Sequence, residues 1–343
     1  MCTMAFTLGR KLIISILMFF WACTYHAMSR TLRETLIADQ HDQWMAKYDR
    51  SYADEAEKQQ RFMIFMKNLE FIEEFNNAAA NRTYQLGLNQ FSDLTTEEFL
   101  NSHTGYKIPD QPKPSKTPSF KYENLTDIPT GMDWREKGAV TEIKNQGSCG
   151  SCWAFSAVAA VESAVKIKTG NLIPLSEQQL IDCTTNNGNH GCGGGYMDQA
   201  FDYIIQNQGI SSETDYPYEG LEGTCEMRSS PAAKITRYED VPANSEKDLL
   251  NAVSIQPVSV VIAVGDAFKN YRQGIFTSEY CGTNLNHAVT AIGYGTSKDG
   301  KFWLIKNSWG KDWGEGGYMK MQRDIDAPEG ICGIAMRASY PIA

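Results

Sequence analysis

The chain has 343 residues, long enough for two or three domains, and its 42% hydrophobic and 21% charged content is that of an ordinary globular protein. A net charge of -9, with no useful run of lysine or arginine, argues against a nucleic-acid partner.

Arg10 and Lys11 precede an apolar run from Leu12 to Cys23, followed by small and polar residues. This has the form of a secretory signal peptide, too short and wrongly flanked for a membrane span, with cleavage expected between Thr24 and Ser29. A membrane anchor is the competing use of the run. Entry to the secretory route fits a disulfide-permissive compartment. Of nine cysteines, Cys2 and Cys23 leave with the leader, so an odd number remains.

From Leu32 to Asn77 the chain is dense in charged residues and glutamine, and Phe62, Phe65, Leu69 and Ile72 repeat at three and four residues. That spacing predicts a long amphipathic helix, preceded by a shorter one around Trp44 and Tyr48. Tyr84 to Asp93 switches to alternation and carries Gly87, Asn89, Phe91 and Asp93, as a short strand and turn would. Asn81-Arg82-Thr83 and Asn124-Leu125-Thr126 are glycosylation sequons. Between Tyr106 and Pro129 closely spaced prolines predict an extended, solvated and poorly packed linker, open to proteolysis.

After Ile128 most of the chain's cysteines and glycines are gathered. Helices are expected over Ser151 to Lys168, Ser176 to Asp182 and Tyr196 to Asn207. Strands are expected over Pro257 to Val264, His287 to Tyr294, Phe302 to Lys306 and Tyr318 to Gln322. Helices first and strands later predict two lobes with a cleft between them.

Asn145 to Ser156 is a glycine-broken polar turn feeding into the first of those helices, which has one apolar face and Gly170 just past its end. Cys152 falls in the first turn, where the free N–H groups and positive dipole end favour a thiolate. Gln146 offers an amide N–H to a developing oxyanion, with the Cys152 N–H as second donor. A cysteine nucleophile needs an imidazole to hold the thiolate and later protonate the leaving amine, and the imidazole needs an orienting acceptor. Of five histidines only His287 has a strand context, and Asn307 follows in Lys306-Asn307-Ser308-Trp309-Gly310, where Trp309 would shield the His–Asn bond from water. Other uses of Cys149 and Cys152 compete: a redox couple, half of a zinc site, or two structural disulfides. The first lacks a surrounding βαβ pattern and the second a further Cys-x-x-Cys, while the odd cysteine count argues against the third.

These residues resemble the papain-like cysteine proteases, whose Cys-Gly-Ser-Cys-Trp signature and downstream His and Asn are known marks of that family. The matches include Gln146, Cys149 to Trp153, Ser176 to Leu180, Gly193 to Gly195, His287 and Asn307 to Gly310. Upstream, Glu57, Arg61, Phe65, Asn68, Ile72 and Asn76, then Gly87, Asn89, Phe91 and Asp93, resemble the two propeptide motifs of the cathepsin L-like branch. Ala335 to Pro341 is similar to the ending of plant senescence-associated and vacuolar members.

The resemblance implies an α+β, two-lobe papain-like fold behind a helical inhibitory propeptide, with signal peptide 1–27, propeptide 28–127 and peptidase domain 128–343. It implies a cysteine endopeptidase made as a zymogen, activated by proteolysis in an acidic compartment, in the vacuole or outside the cell. Cys152, His287, Asn307 and Gln146 would be catalytic. Gly194, Gly195, Tyr196, Met197, Val261, Leu285, Arg337 and Trp309 would bind substrate. Of these, Tyr196, Met197, Val261, Leu285 and Arg337 would line the P2 pocket; the first four are apolar, predicting Leu, Val or Phe at P2, whereas Arg337 departs from the family pattern and would disfavour Arg or Lys there. The implied disulfides are Cys149–Cys192, Cys183–Cys225 and Cys281–Cys332, out of fifteen connectivities open to six cysteines. Peptide substrates, the chain's own propeptide and cystatin-type inhibitors are the implied partners of a monomer with no metal, no organic cofactor and no stable membrane anchor. A silent binding protein on the same fold is the alternative class, and would be expected to have lost Cys152, His287 or Gln146.

Overall fold

Aromatic rings do most of the packing in the leading region. The computed structural model describes residues 32–78, 82–106, 120–185, 188–226, 230–277 and 281–343. The leader and Asn81 therefore lie outside the described residues, while Asn124 is exposed. By its contacts the chain forms two compact units, one ending at Asn68 and one running from Leu69 to Ala343.

In the first unit, α1 (32–47) precedes α2 (Glu55–Asn77), and the Tyr48 of the expected shorter helix falls in the turn after α1. His41 stacks on Trp44 at 5.8 Å and meets Phe65 at 4.9 Å, giving this small region an aromatic core. Asp54 starts α2 by accepting the Glu57 N–H, and the Glu57 carboxylate reaches back to the Ala53 N–H.

In the second unit, the rest of α2 buries Leu69, Ile72 and Phe75. Then come β1 (Tyr84–Leu86), α3 (Thr96–His103), β2 (Met132–Asp133), α4 (Cys152–Thr169), α5 (Glu177–Cys183) and α6 (Met197–Gln206). They are followed by β3 (Arg237–Asp240), α7 (Glu246–Ile255), β4 (Val258–Ile262), α8 (Asp266–Lys269), β5 (Tyr271–Phe276) and β6 (His287–Ser297). The last elements are β7 (Gly300–Lys306), β8 (Tyr318–Gln322) and β9 (Ala338–Ile342). The sheet order is β1-β5-β8-β7-β6-β4-β9-β3, with β2 paired to β6. All pairs are antiparallel except β5 with β8.

The three expected helices and four expected strands are present, but the second half is not uniformly strand. Helix α7 interrupts it, capped by the Ser245 side chain on the Asp248 N–H and burying Leu249, Ala252 and Val253. Helix α3 carries a full capping box between Thr95 and Glu98. Both starts were readable as Ser/Thr-x-x-acid patterns.

Helix α4 differs from its expected single apolar face, because it is buried on all sides from Cys152 to Val165. It lies between β6 and β9 on one hand and α5 and α6 on the other, an arrangement its many Ala and Ser residues permit by letting neighbours approach closely. Ser156 ties it to the sheet by donating to the Val289 carbonyl at 2.7 Å, while its own carbonyl accepts from Ser259 at 2.9 Å. Gly170, in the left-handed region at φ 81°, ends the helix where it was expected to end.

The expected linker needs a second correction. Tyr106, Phe120 and Tyr122 are buried; Tyr122 meets Tyr340 at 5.4 Å, and its carbonyl accepts from Asn251. These rings lie on the two flanks of the expected linker, where each removes a large apolar area from water. Residues 107–119 lie outside the described residues. Among the described residues no helix is long and apolar enough to cross a membrane.

Candidate active site

The loop before α4 is fixed by covalent and backbone constraints that its sequence supplies. Cys149 pairs with Cys192, the Gly150 N–H donates to the Cys192 carbonyl at 3.0 Å, and Gly147 holds φ 59°. The other disulfides are Cys183–Cys225 and Cys281–Cys332, and Cys152 is the free cysteine among the described residues. This is the pairing the resemblance implied, and it removes Cys149 as a redox partner for Cys152.

Cys152 opens α4 with no exposed surface, and its Sγ accepts the Ala288 N–H at 3.4 Å. The neighbouring residue His287 opens β6, so one strand start brings imidazole and thiol together. His287 Nε2 lies 2.9 Å from Asn307 Oδ1, an acceptor, so Nε2 carries the proton and Nδ1 the lone pair. Nδ1 has no hydrogen-bond partner among the described residues. The Trp309 ring stacks on the imidazole at 4.4 Å, and the Ser308 N–H holds Asn307 Oδ1 from the other side at 2.8 Å. Asn307 directly follows β7, which pairs with β6, and this is how residues twenty positions apart meet.

Electrostatics correct one expectation. Burial pushes the Cys152 thiol up to about 11, outweighing the N–H groups of Ala288, Gly105, Trp153 and Tyr106 that favour the thiolate. Burial likewise pushes His287 down to about 4, more than its bond to Asn307 raises it. The helix start therefore does not ionise the thiol in this state; both groups are neutral near pH 7.

The cause lies across the site, in the segment after α3. The His103 carbonyl accepts from Gln146 Nε2 at 3.3 Å and from Trp309 Nε1 at 3.1 Å. The Gly105 carbonyl accepts from the Gly195 N–H at 2.9 Å, and the Tyr106 N–H donates to the Asn286 carbonyl at 3.0 Å. A methyl group on Gly105 would overlap the Gly150 carbonyl, and one on Gly194 would overlap the Gly105 carbonyl, so only glycine lets the backbones approach this closely. The Tyr106 ring meets Tyr196 edge-on at 5.6 Å and joins the apolar group that holds Met197, Val261, Leu285 and Ala288.

Of the five residues expected to line the P2 pocket, Arg337 is the one that does not join this apolar group, although its carbonyl accepts from the Val261 N–H at 3.0 Å. It is half-buried, and its neighbour Met336 packs there instead. The sequence reading missed the groups that position Gln146: Ser308 Oγ donates to its Oε1 at 2.6 Å, and Tyr218 donates to its carbonyl at 2.6 Å. Ser308 sits inside a recognised motif, but nothing near Tyr218 in sequence signals its role. Also missed is a buried charge group behind Asn307. Lys144 there contacts Glu162 at 3.1 Å and Glu177 at 2.8 Å, and Lys306 donates to Thr141. Burial opposes the Lys144 ammonium, but Glu177 and Glu162 together outweigh it and hold it charged.

Comparison with known proteins covers both regions. Residues 128–342 match the papain family cysteine protease, and residues 41–99 match the cathepsin propeptide inhibitor domain (I29). The chain is 49% identical over 342 residues to the "Senescence-specific cysteine protease SAG12" of Arabidopsis thaliana, covering 96% of this chain and 98% of that protein. Among solved structures, a recombinant stem bromelain precursor superposes with TM-score 0.81 at 45% identity, covering 89% of this chain and 98% of that one. The ragweed pollen allergen Amb a 11 cysteine protease in its proform gives TM-score 0.82 at 41% identity, over 89% of this chain and 94% of that one. Likeness of this extent over both the covering segment and the thiol-bearing fold means that the chain belongs to the papain family of cysteine proteases and is made as a proenzyme.

Proposed function

We propose that the protein is an endopeptidase of the secretory route, vacuolar or extracellular, that hydrolyses peptide bonds through a Cys152 thioester. The observation that carries this is the thiol bonded to the Ala288 N–H, next to a histidine whose Nε2 is held by Asn307 and whose Nδ1 is left open. Once uncovered, the thiol proton passes to His287 Nδ1, and the thiolate attacks the peptide carbonyl carbon. A C–S bond forms, and the oxyanion is held by Gln146 and the Cys152 N–H. His287 gives its proton to the leaving nitrogen as the C–N bond breaks. It then takes a proton from water, which attacks the thioester and releases Cys152 as the C–S bond breaks. Asn307 orients the ring without adding a second charge beside the ion pair.

The seat taken by Tyr106 supports an apolar P2 residue, whose burial against Tyr196, Met197, Val261 and Leu285 contributes roughly 1.5 to 3 kcal/mol. Arg337, beside that seat, disfavours Arg or Lys at P2. The signal peptide is placed at 1–27, the propeptide at 28–127 and the enzyme at 128–343, with Asn81 and Asn124 as glycan acceptors. Cys152→Ala tests the assignment: the zymogen should fold, remain uncut and hydrolyse no peptide after processing by an added protease. Turnover by that variant would sink it. The wild-type enzyme, given peptides varied at P2, should prefer Leu, Val or Phe, and efficient cleavage with Arg at P2 would remove the role given to Arg337.

A further inference from the structure

Lys269, at the end of α8, has no exposed surface, and polar groups of the propeptide close over it. Its Nζ donates to the Leu94 carbonyl at 2.9 Å, and its carbonyl accepts from Asn89 Nδ2 at 2.8 Å and Trp313 Nε1 at 3.1 Å. Thr96 Oγ1 is hydrogen-bonded to the Asp266 carboxylate. Burial lowers the Lys269 pKa to about 8, against the attraction of Asp266, Asp93 and Glu98. A buried ammonium is costly unless it is paired. Of the groups named around this one, Leu94, Asp93 and Glu98 belong to the segment that activation removes.

The site lies close to the chemistry. Phe268 meets Trp309 edge-on at 5.8 Å, and Trp309 covers the catalytic imidazole at 4.4 Å. The propeptide runs from this end, where Phe99 packs on Trp309, past Cys152 at Gly105, to Tyr106 against Tyr196. With P2 at the Tyr196 end, the Lys269 end faces the residues released with the new amine.

We propose that Lys269 is a specificity-determining residue of the mature enzyme, selecting an acidic side chain on the amine-product side of the scissile bond. The zymogen holds this ammonium with a propeptide carbonyl and carboxylates; the processed enzyme offers it to substrate. In water a lysine is charged throughout the acid and neutral range. Asp266 stays beside it and water returns around it, which limits the preference to about tenfold. The proposal rests on the cleft orientation given under Proposed function.

The test uses enzyme processed from the full zymogen and internally quenched peptides with Leu at P2, in which P1′, P2′ or P3′ is Glu, Gln or Lys. At one of these positions kcat/KM should be about tenfold higher for Glu than for Lys, with Gln between, and the ratio should shrink as salt is raised. In Lys269→Gln the ratio should fall to about one, and in Lys269→Arg it should persist. Should Lys269→Gln yield no folded enzyme, the wild-type ratio, its salt dependence and the Arg variant decide. A wild-type ratio near one at every position, or an unchanged ratio in Lys269→Gln, overturns the proposal. A second peptide series, with P2 varied and the primed positions fixed, reads the cleft orientation separately: indifference to P2 there overturns that orientation rather than the role of Lys269.

Discussion

The two ends of the segment that crosses the cleft hold on by different physics. At Gly105 and Tyr106 it engages as backbone plus one ring: carbonyl and N–H groups meet Gly195 and Asn286, glycine lies on glycine, and Tyr106 fills an apolar seat. At Asn89 to Glu98 it engages through side chains, with Asn89 bonded to the Lys269 carbonyl and a capped helix, α3, set on α8. The first end takes the place of a substrate and depends on close approach. The second is a dock, whose specificity comes from buried polar groups that lose most when left unpaired. Inhibition therefore combines a cover that any glycine-containing backbone could imitate with an anchor that only this surface fits.

The largest effect that would sharpen this contrast is on the thiol. With the cover in place and a pKa of about 11, roughly one Cys152 in ten thousand is ionised at pH 7. Alkylation of the intact zymogen by iodoacetamide should be slow, rise about tenfold per pH unit toward 11, and become fast after processing. Equal rates before and after processing would show that the cover does not control ionisation.

Next, Gly105→Ala attacks only the cover. Its methyl overlaps the Gly150 carbonyl, so the segment must lift, and hydrolysis of a small peptide by uncut zymogen should rise by about a hundredfold, in line with an overpacked site costing 1 to 3 kcal/mol. The dock should stay in place, visible as retained amide protection over 89–98.

Acid should loosen the same end. With the cover on, His287 takes a proton only near pH 4, whereas an imidazole facing water does so near 6.5. The uncovered state thus binds the proton first as pH falls. Docking is at full strength above 6.5 and weakens between 6.5 and 4 by up to about a hundredfold. Amide exchange of residues 99–106 in the Cys152→Ala zymogen, corrected for intrinsic rates, should accelerate over that window; a flat profile would remove His287 as the linked group.

The smallest effect belongs to the dock. Thr95→Ala removes the side-chain cap on the Glu98 N–H and half of the capping box, which should cost about 1 kcal/mol and speed opening of the dock about fivefold by the same exchange measurement.

Local residue patterns carried much of this structure. The α4 start and its Gly170 stop, the glycine-rich turn around Cys149 and the four main strands were legible because each depends on a few neighbouring residues with strong conformational preferences. The position of Cys152 on a helix start was legible for the same reason. Helix α7 and strand β9 were overlooked: the first is a short helix inside a strand-rich region, and the second, Ala338 to Ile342, has β character only through its pairing with β3 and β4. Tyr122 could not be read as buried, since its contact with Tyr340 joins distant parts of the chain.

By itself, then, the sequence determined which side chains were available for chemistry and, by count, that one cysteine after the leader stayed unpaired. Only the tertiary structure decided their state. The thiol is raised and the imidazole lowered because backbone from another part of the chain excludes water from both, and that exclusion depends on long-range packing rather than on neighbours in sequence. The same holds for Lys269, an ordinary surface-type residue in the sequence that the fold buries under the propeptide.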